Sequence, residues 1–285
     1  MENIIIPNKK ILQDKISQIN EDGLEKLHVL SDFDRTLTYG KNNGKKSPSL
    51  LAILREKDYL GEDYQERAKA LYEQYHPIEV DASISKKEKK SKMRKWWEAH
   101  LALLVEKGLK KEHLLEIARN KTIVLRKGVE ETLQKLSQKQ VPVVVFSASG
   151  CGEAVEYYFE ERNLTYDNIF FLVNRFYWSN ENVAMGAKSP VIHSYNKDET
   201  LIKDEKNIYE EVSSKKNIIL LGDSIGDAGM AEGFDYKTLI KIGFLNTDYN
   251  SKKDVDEYSK YYDVIVLGDE DFTGVNSVVF DKILK

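Results

Sequence analysis

The chain has 285 residues, 41% hydrophobic and 32% charged, with a net charge of −4. This composition excludes a disordered or fibrous chain and allows one large globular domain, or a core domain with a smaller insert. The charge balance gives no general pull towards nucleic acid or an anionic membrane, so recognition of any anion must be local. Cys151 is the only cysteine, which rules out an intrachain disulfide and points to a reducing, cytoplasmic setting. The five histidines are scattered, without zinc-site spacing. No segment reads as a signal peptide or a bilayer span. The expected partner is a small molecule, with neither nucleic acid nor membrane.

In chain order, the first buried-strand pattern is Leu27 to Leu30, which ends in Ser31-Asp32. From Ser47 to Thr122 the pattern is helical, over Pro48 to Tyr59, Asp63 to Tyr75, Lys86 to Lys107 and Lys111 to Asn120. A helix follows over Val129 to Gln138, then the apolar run Val141 to Phe146, ending in Ser147-Ala148-Ser149-Gly150. After a helix from Glu153 to Arg162 come two more runs. Ile218 to Leu221 ends in Gly222-Asp223-Ser224, and Val264 to Leu267 ends in Gly268-Asp269.

Short, continuous apolar runs fit parallel strands covered on both faces. Alternating with helices, they predict an α/β fold with a doubly wound, mainly parallel sheet. The helical stretch interrupts this alternation as an inserted cap would. The expected division is a core of residues 1–46 and 123–285 with a helical cap at 47–122. Ligands of such sheets bind at the carboxyl ends of the strands, where the polar residues above all fall.

Asp32 and Asp34 are two apart at a strand end, so their side chains point the same way. An isolated pair of this kind is often only a turn or cap device. Two carboxylates in one small site repel unless a cation separates them or one keeps a proton, and both conditions serve phosphoryl transfer. One carboxylate can bind Mg²⁺ and attack phosphorus while the other carries a proton to the leaving oxygen. Asp223 can ligate the same ion and Asp227 can orient its surroundings, although Asp223 could equally cap the next helix. Ser147, with the main chain at Ala148 opening a helix, offers a phosphate cradle. Ser149 reads as a helix cap and Cys151 as a structural residue. A lysine must offset the charge of a phosphate beside several acids; Lys188 and Lys197 are rivals that pattern alone does not separate.

Asp-x-Asp-x-Thr, a strand-end serine, a loop lysine and Gly-Asp-x-x-x-Asp, in that order, resemble the haloacid dehalogenase superfamily. Further stretches resemble its cytosolic 5'-nucleotidase III (pyrimidine 5'-nucleotidase) family: Ile78-Glu79-Val80-Asp81, Ile192-His193 with Asn196-Lys197, and Ile240 to Gly243 with Leu245-Asn246. The similarity covers nearly the whole chain from about Leu24, and it implies a haloacid dehalogenase-like core. By motif, it makes Asp32 the nucleophile and a metal ligand. Asp34 becomes the acid/base, with its carbonyl also on Mg²⁺. Asp223 is a ligand, Asp227 its support, and Ser147 and Lys188 the phosphate holders. Lys188 is preferred to Lys197 on the spacing to the Ile-His pair.

The implied activity is Mg²⁺-dependent hydrolysis of a nucleoside 5'-monophosphate. The alternatives are a phosphatase for a sugar phosphate or other small monoester, and a retired phosphatase that only binds nucleotide. In the cap, Lys95 stands where the family carries a glutamate against the base. An acceptor is thereby replaced by donors, which leaves the base preference open. Trp96 and Trp97 are candidates for stacking on the base, at most one of them, since adjacent helix positions point about 100° apart. The basic run Lys86 to Lys95 reads as a solvated face, or else as attraction for an anionic substrate.

Overall fold

A computed structural model describes residues 3–42, 44–81, 83–246 and 251–285. Seven strands form its main sheet: β1 (Ile4–Ile5), β2 (Leu27–Ser31), β3 (Val143–Ser147), β4 (Ile169–Val173), β5 (Asn217–Gly222), β6 (Thr238–Leu245) and β7 (Val264–Leu267). Their order is β1-β7-β6-β5-β2-β3-β4. Every neighbouring pair is parallel except β1 with β7 at the edge.

Most of the central strands read as apolar runs because both faces are covered. Val29, Val145 and Leu221 face one cluster, with residues from α1 (Lys9–Asp22), α6 (Val129–Gln138) and α7 (Glu153–Glu160). Leu30, Val144 and Leu220 face the other, with α8 (Glu199–Asp204) and α9 (Lys206–Val212). Each fully buried valine or leucine stabilises the fold by roughly 1.5–3 kcal/mol. The predicted α/β doubly wound sheet is thus the observed one.

Between β2 and α6 lie four helices, α2 (Leu50–Glu56), α3 (Glu62–Val80), α4 (Lys86–Glu106) and α5 (Lys111–Ala118), none of which adds a strand to the sheet. Helix α3 runs past its expected end at Tyr75 and through Pro77, to a cap where the Asp81 N–H donates to the Pro77 carbonyl. Pro77, which lacks the N–H that would bond the carbonyl four residues back, falls in the last turn, where the helix ends soon after it. Strand β6 escapes the apolar-run criterion because Lys241 and Gly243 interrupt it. Gly243 is required there, since a Cβ would lie 2.6 Å from the Tyr262 ring. No described helix is long and apolar enough to cross a membrane.

The basic run is not simply a solvated face. Lys86 pairs with Glu232 at 2.7 Å and Lys90 with Asp198 at 3.3 Å. The buried Lys89 donates to the Glu79 carbonyl at 2.8 Å and to the Tyr195 hydroxyl at 3.1 Å. Glu232 and Asp198 draw two of its lysines into ion pairs, and Lys89 turns inward to a carbonyl and a hydroxyl, contacts that no local pattern reveals.

His28 lies in the middle of β2, wholly buried, and among the described residues no partner stands at hydrogen-bond geometry to either ring nitrogen. Burial, with Lys215 nearby, pushes its pKa down to about 3 from 6.5. The unfolded chain therefore binds a proton that the folded one refuses between these values. Stability is present above pH 6.5 and is lost as pH falls towards 3. Urea unfolding at pH 7 and pH 5 is expected to show a loss of about 2 kcal/mol from this residue. His28→Phe should remove that part of the pH dependence; an unchanged slope in the variant would refute the assignment.

Candidate active site

The register of the central strands brings the polar loops together. Ser31 stands opposite Leu221 of β5 and Val145 of β3, and the Asp32 N–H still donates to the Leu221 carbonyl at 3.0 Å. Asp32 therefore begins where the sheet ends, beside Gly222-Asp223 and the loop after β3. Phe33 anchors the turn from the opposite side, buried edge-on against Tyr158 with ring centroids 5.2 Å apart. Its carbonyl accepts from the N–H groups of Thr36, Leu37 and Thr38. Within this tight turn the Thr36 hydroxyl donates to Asp32 Oδ2 at 3.1 Å. Asp34, half-buried, accepts from the main chain at Leu50.

Asp223 and Asp227 enter from β5. A Cβ on Gly222 would sit 2.3 Å from Asp227 Cβ, so only glycine lets the chain fold Asp227 back onto the strand end. Asp227 Oδ2 accepts from the Ser224 N–H at 3.1 Å and hydroxyl at 2.7 Å. One carboxylate oxygen from each of Asp32, Asp223 and Asp227 lies within 4.8 Å of the others. Tyr258 and Tyr262 hold the loop by donating to the carbonyls of Asp223 and Ser224.

The lysine among these acids is Lys197, not Lys188. Its buried amine donates to Asp32 Oδ1 at 2.5 Å and to Asp227 Oδ1 at 3.0 Å. Lys188 is exposed and lies over the Tyr177 ring at 5.7 Å, at the end of a hairpin strand, Ala184–Ala187. Spacing to the Ile-His pair does not find this lysine: the hairpin returns Lys188 opposite Arg175, where its N–H donates to the Arg175 carbonyl at 2.8 Å, and its side chain stays exposed rather than joining the acids. The segment after it returns to the site: the Asn196 side chain accepts from the His193 N–H and donates to the Val191 carbonyl. Lys197 follows directly.

The electrostatics leave room for a cation. Burial, reinforced by Asp227 and Asp34 against the pull of Lys197, pushes the Asp32 carboxyl up to about 7. Burial with Asp32 and Asp227 raises Asp223 well above the carboxylate range, and burial also raises Asp34. Burial opposes the charge of Lys197, but Asp227 and Asp32 outweigh it and raise its pKa. Among the described residues no hydrogen-bond donor reaches the Asp223 carboxylate, whereas both Asp227 oxygens are taken. Lys197, with Arg35 acting on Asp34 and Asp223, does not bring these carboxyls back to the ordinary range, and among the described residues Asp223 offers an oxygen with no hydrogen-bond donor. That donor set fits a hard divalent ion such as Mg²⁺.

Ser147 closes β3, buried, and its Oγ accepts from the Ser149 N–H at 3.1 Å; Ala148 follows it half-buried. Cys151 is buried with its Sγ 3.3 Å from Ser149 Oγ, and burial pushes its thiol up to about 12, so it is inert. The helical insert meets this loop at Gly150, where a Cβ would come within 3.3 Å of Leu51 and 3.6 Å of the Trp97 ring. Trp96 is buried, stacked between Tyr75 at 5.9 Å and Trp97 at 5.2 Å. Trp97 is half-buried and Lys95 exposed.

Sequence reasoning missed two side chains that hold these loops. Asn174 binds the Ser149 carbonyl at 3.1 Å and both polar main-chain groups of Ile192. Arg126 is buried behind the Asp32 turn. Neither stands in a pattern that marks it.

Comparison with known proteins agrees with this geometry. A 7-methylguanosine phosphate-specific 5'-nucleotidase A of Xenopus laevis is 32% identical over 269 residues, spanning 94% of this chain and 91% of that protein. The crystal structure of cytosolic 5'-nucleotidase IIIB bound to cytidine superposes with a TM-score of 0.88 at 27% identity, covering 99% of this chain and 94% of that one. A substrate-bound phosphoserine phosphatase shares the fold alone, with a TM-score of 0.52 at 19% identity over 89% of this chain and 97% of that one. Residues 35–284 match the pyrimidine 5'-nucleotidase (UMPH-1) family. On that match, with a haloacid dehalogenase-like sheet whose strand ends gather three aspartates, the chain belongs to the pyrimidine 5'-nucleotidase (UMPH-1) family.

Proposed function

We propose that the chain is a Mg²⁺-dependent 5'-nucleotidase that hydrolyses nucleoside 5'-monophosphates through an aspartyl-phosphate on Asp32. The observation that carries this is the convergence of Asp32, Asp223 and Asp227 around Lys197 at the strand ends. Asp32, Asp223 and the Asp34 carbonyl would hold the ion, with Asp227 orienting its neighbours. When bound, Mg²⁺ supplies charge neutralisation for the phosphate oxygens. An Asp32 oxygen attacks phosphorus, and the bond to the nucleoside 5' oxygen breaks while Asp34 gives that oxygen its proton. Burial raises the Asp34 pKa, which suits a carboxyl that must carry a proton. Asp34 then takes a proton from the water that attacks the aspartyl-phosphate, releasing phosphate and restoring Asp32. Lys197 and Ser147 bind the phosphate oxygens, with the main chain at Ala148.

Residues 47–122 act in this reading as the cap over the site. Support comes from Leu51 and Trp97 closing on Gly150 and from the aromatic group of Tyr72, Tyr75, Trp96 and Trp97. Trp96 is committed to packing, which leaves Trp97 as the stacking candidate. A panel of cytidine, uridine, guanosine, 7-methylguanosine and adenosine monophosphates, with glucose 6-phosphate and phosphoserine, tests the substrate class in Mg²⁺. Nucleotides are expected to exceed the two other esters by about tenfold or more in kcat/KM, as a base bound in the cap would give. Equal turnover of glucose 6-phosphate would favour a general monoester phosphatase. Lys95→Glu is expected to change the ranking among bases; an unaltered ranking removes Lys95 from base recognition.

A further inference from the structure

Two features of the chain take no part in the chemistry above: Asn246 after β6 and the strand end Gly268-Asp269. They converge on one cation. Arg126 is 1% exposed, and its guanidinium is engaged along its whole fork. Nε donates to the Thr36 carbonyl at 2.9 Å, and Nη2 to the Arg35 carbonyl and Asn246 Oδ1, both at 2.7 Å. Nη1 donates to the Glu270 carbonyl at 2.5 Å, and Asp269 Oδ1 pairs with Nη2 at 3.1 Å. Asn246 in turn donates to the Arg35 carbonyl at 2.9 Å, and Asp269 accepts from the N–H groups of Gly40 and Lys41.

The two carbonyls gripped by Arg126 flank the peptide that carries Thr36, whose hydroxyl meets Asp32 Oδ2. Arg35 itself sits at φ +64°, a conformation that a residue with a side chain holds only where its surroundings impose it. We propose that Arg126 is a positioning residue for Asp32: with Asn246 and Asp269 it locks the Arg35–Thr36 turn, so that Thr36 aims the Asp32 carboxylate. The inference rests on Asp32 being the nucleophile. A lysine at 126 would keep the charge but present a single nitrogen, which cannot reach acceptors spread along a planar fork.

The test is a double-mutant cycle of Arg126→Lys and Thr36→Val, reading kcat, KM and melting temperature. Because Arg126 acts through Thr36, each single variant is expected to lose about tenfold in kcat with KM within about twofold. The double variant should then be no slower than the slower single one. A fall in melting temperature with kcat unchanged, or kcat losses that multiply in the double variant, would show Arg126 to be merely structural. If Arg126→Lys does not fold, Asn246→Ala takes its place in the cycle, since it loosens the Arg35 carbonyl while leaving the pair with Asp269. Asp32→Asn is the control. Turnover surviving in it would sink the nucleophile reading and this inference with it. Multiplying losses beside an inactive Asp32→Asn would sink the inference alone.

Discussion

Asp32→Asn is expected to abolish phosphate release, by about 10⁴-fold or more, without loss of folded stability. The amide keeps the shape and the oxygen that accepts from Thr36, but it lacks the nucleophilic lone-pair charge and cannot form the aspartyl-phosphate. In chelator, its melting temperature should equal or exceed that of the parent. One of three carboxylates within 4.8 Å of each other has gone, and Lys197 still pairs with Asp227 at 3.0 Å. Relief of like-charge repulsion opposes the loss of one ion pair. Mg²⁺ should raise the melting temperature of the parent more than that of the variant, since binding to the folded state stabilises in proportion to affinity. Turnover within a hundredfold of the parent would remove Asp32 from the chemistry. A variant that is inactive only because it has unfolded would leave a cooperative transition missing from the melt.

Much of this was legible in the sequence where the information is local. The runs at Leu27, Ile218 and Val264 read as strands because burial on both faces leaves them apolar, with His28 the one polar residue among them. Strand β7 appears with the bounds read from its residues, Val264–Leu267. Asp32, Asp223 and Asp227 were legible because they follow two neighbouring parallel strands, so their convergence follows from the sheet itself. What failed was whatever depends on a long-range path. Lys188 and Lys197 differ only in how the chain between β4 and β5 returns to the site. That return depends on a hairpin and on Asn174 gripping Ile192 across 18 residues. Arg126 was invisible because its partners come from the turn after β2 and from the ends of β6 and β7. A lone arginine before Lys127-Gly128 carries no periodicity. The tryptophan pair could be divided only once Tyr75 was known to stack on Trp96.

The choice between the two lysines has the second large consequence. Lys197→Met is expected to lower kcat by about 10²–10³-fold, as removal of a charge aimed at the developing transition-state charge does, while Lys188→Met stays within about twofold of the parent. The stability effects should divide the same way. Lys197 is buried between Asp32 and Asp227 at 2.5 and 3.0 Å. Its removal strands two buried carboxylates, and breaking a buried pair in this manner costs roughly 3–5 kcal/mol. Part of that loss should return in Mg²⁺, because an added cation meets the same unpaired charge, so the variant's melting temperature should respond to Mg²⁺ more steeply than the parent's. The exposed Lys188 amine lies over the Tyr177 ring at 5.7 Å, and its replacement should shift the melt by no more than an exposed substitution does, about 0.5 kcal/mol. Steady-state kinetics and thermal melts of the two variants, with Mg²⁺ and with chelator, check all of this together. A slow Lys188→Met beside an active Lys197→Met would reverse the assignment and return the phosphate site to the hairpin. Loss of activity in Lys197→Met without the Mg²⁺-dependent recovery of stability would mean that the amine contributes to catalysis but that Asp32 and Asp227 are not held by it in solution.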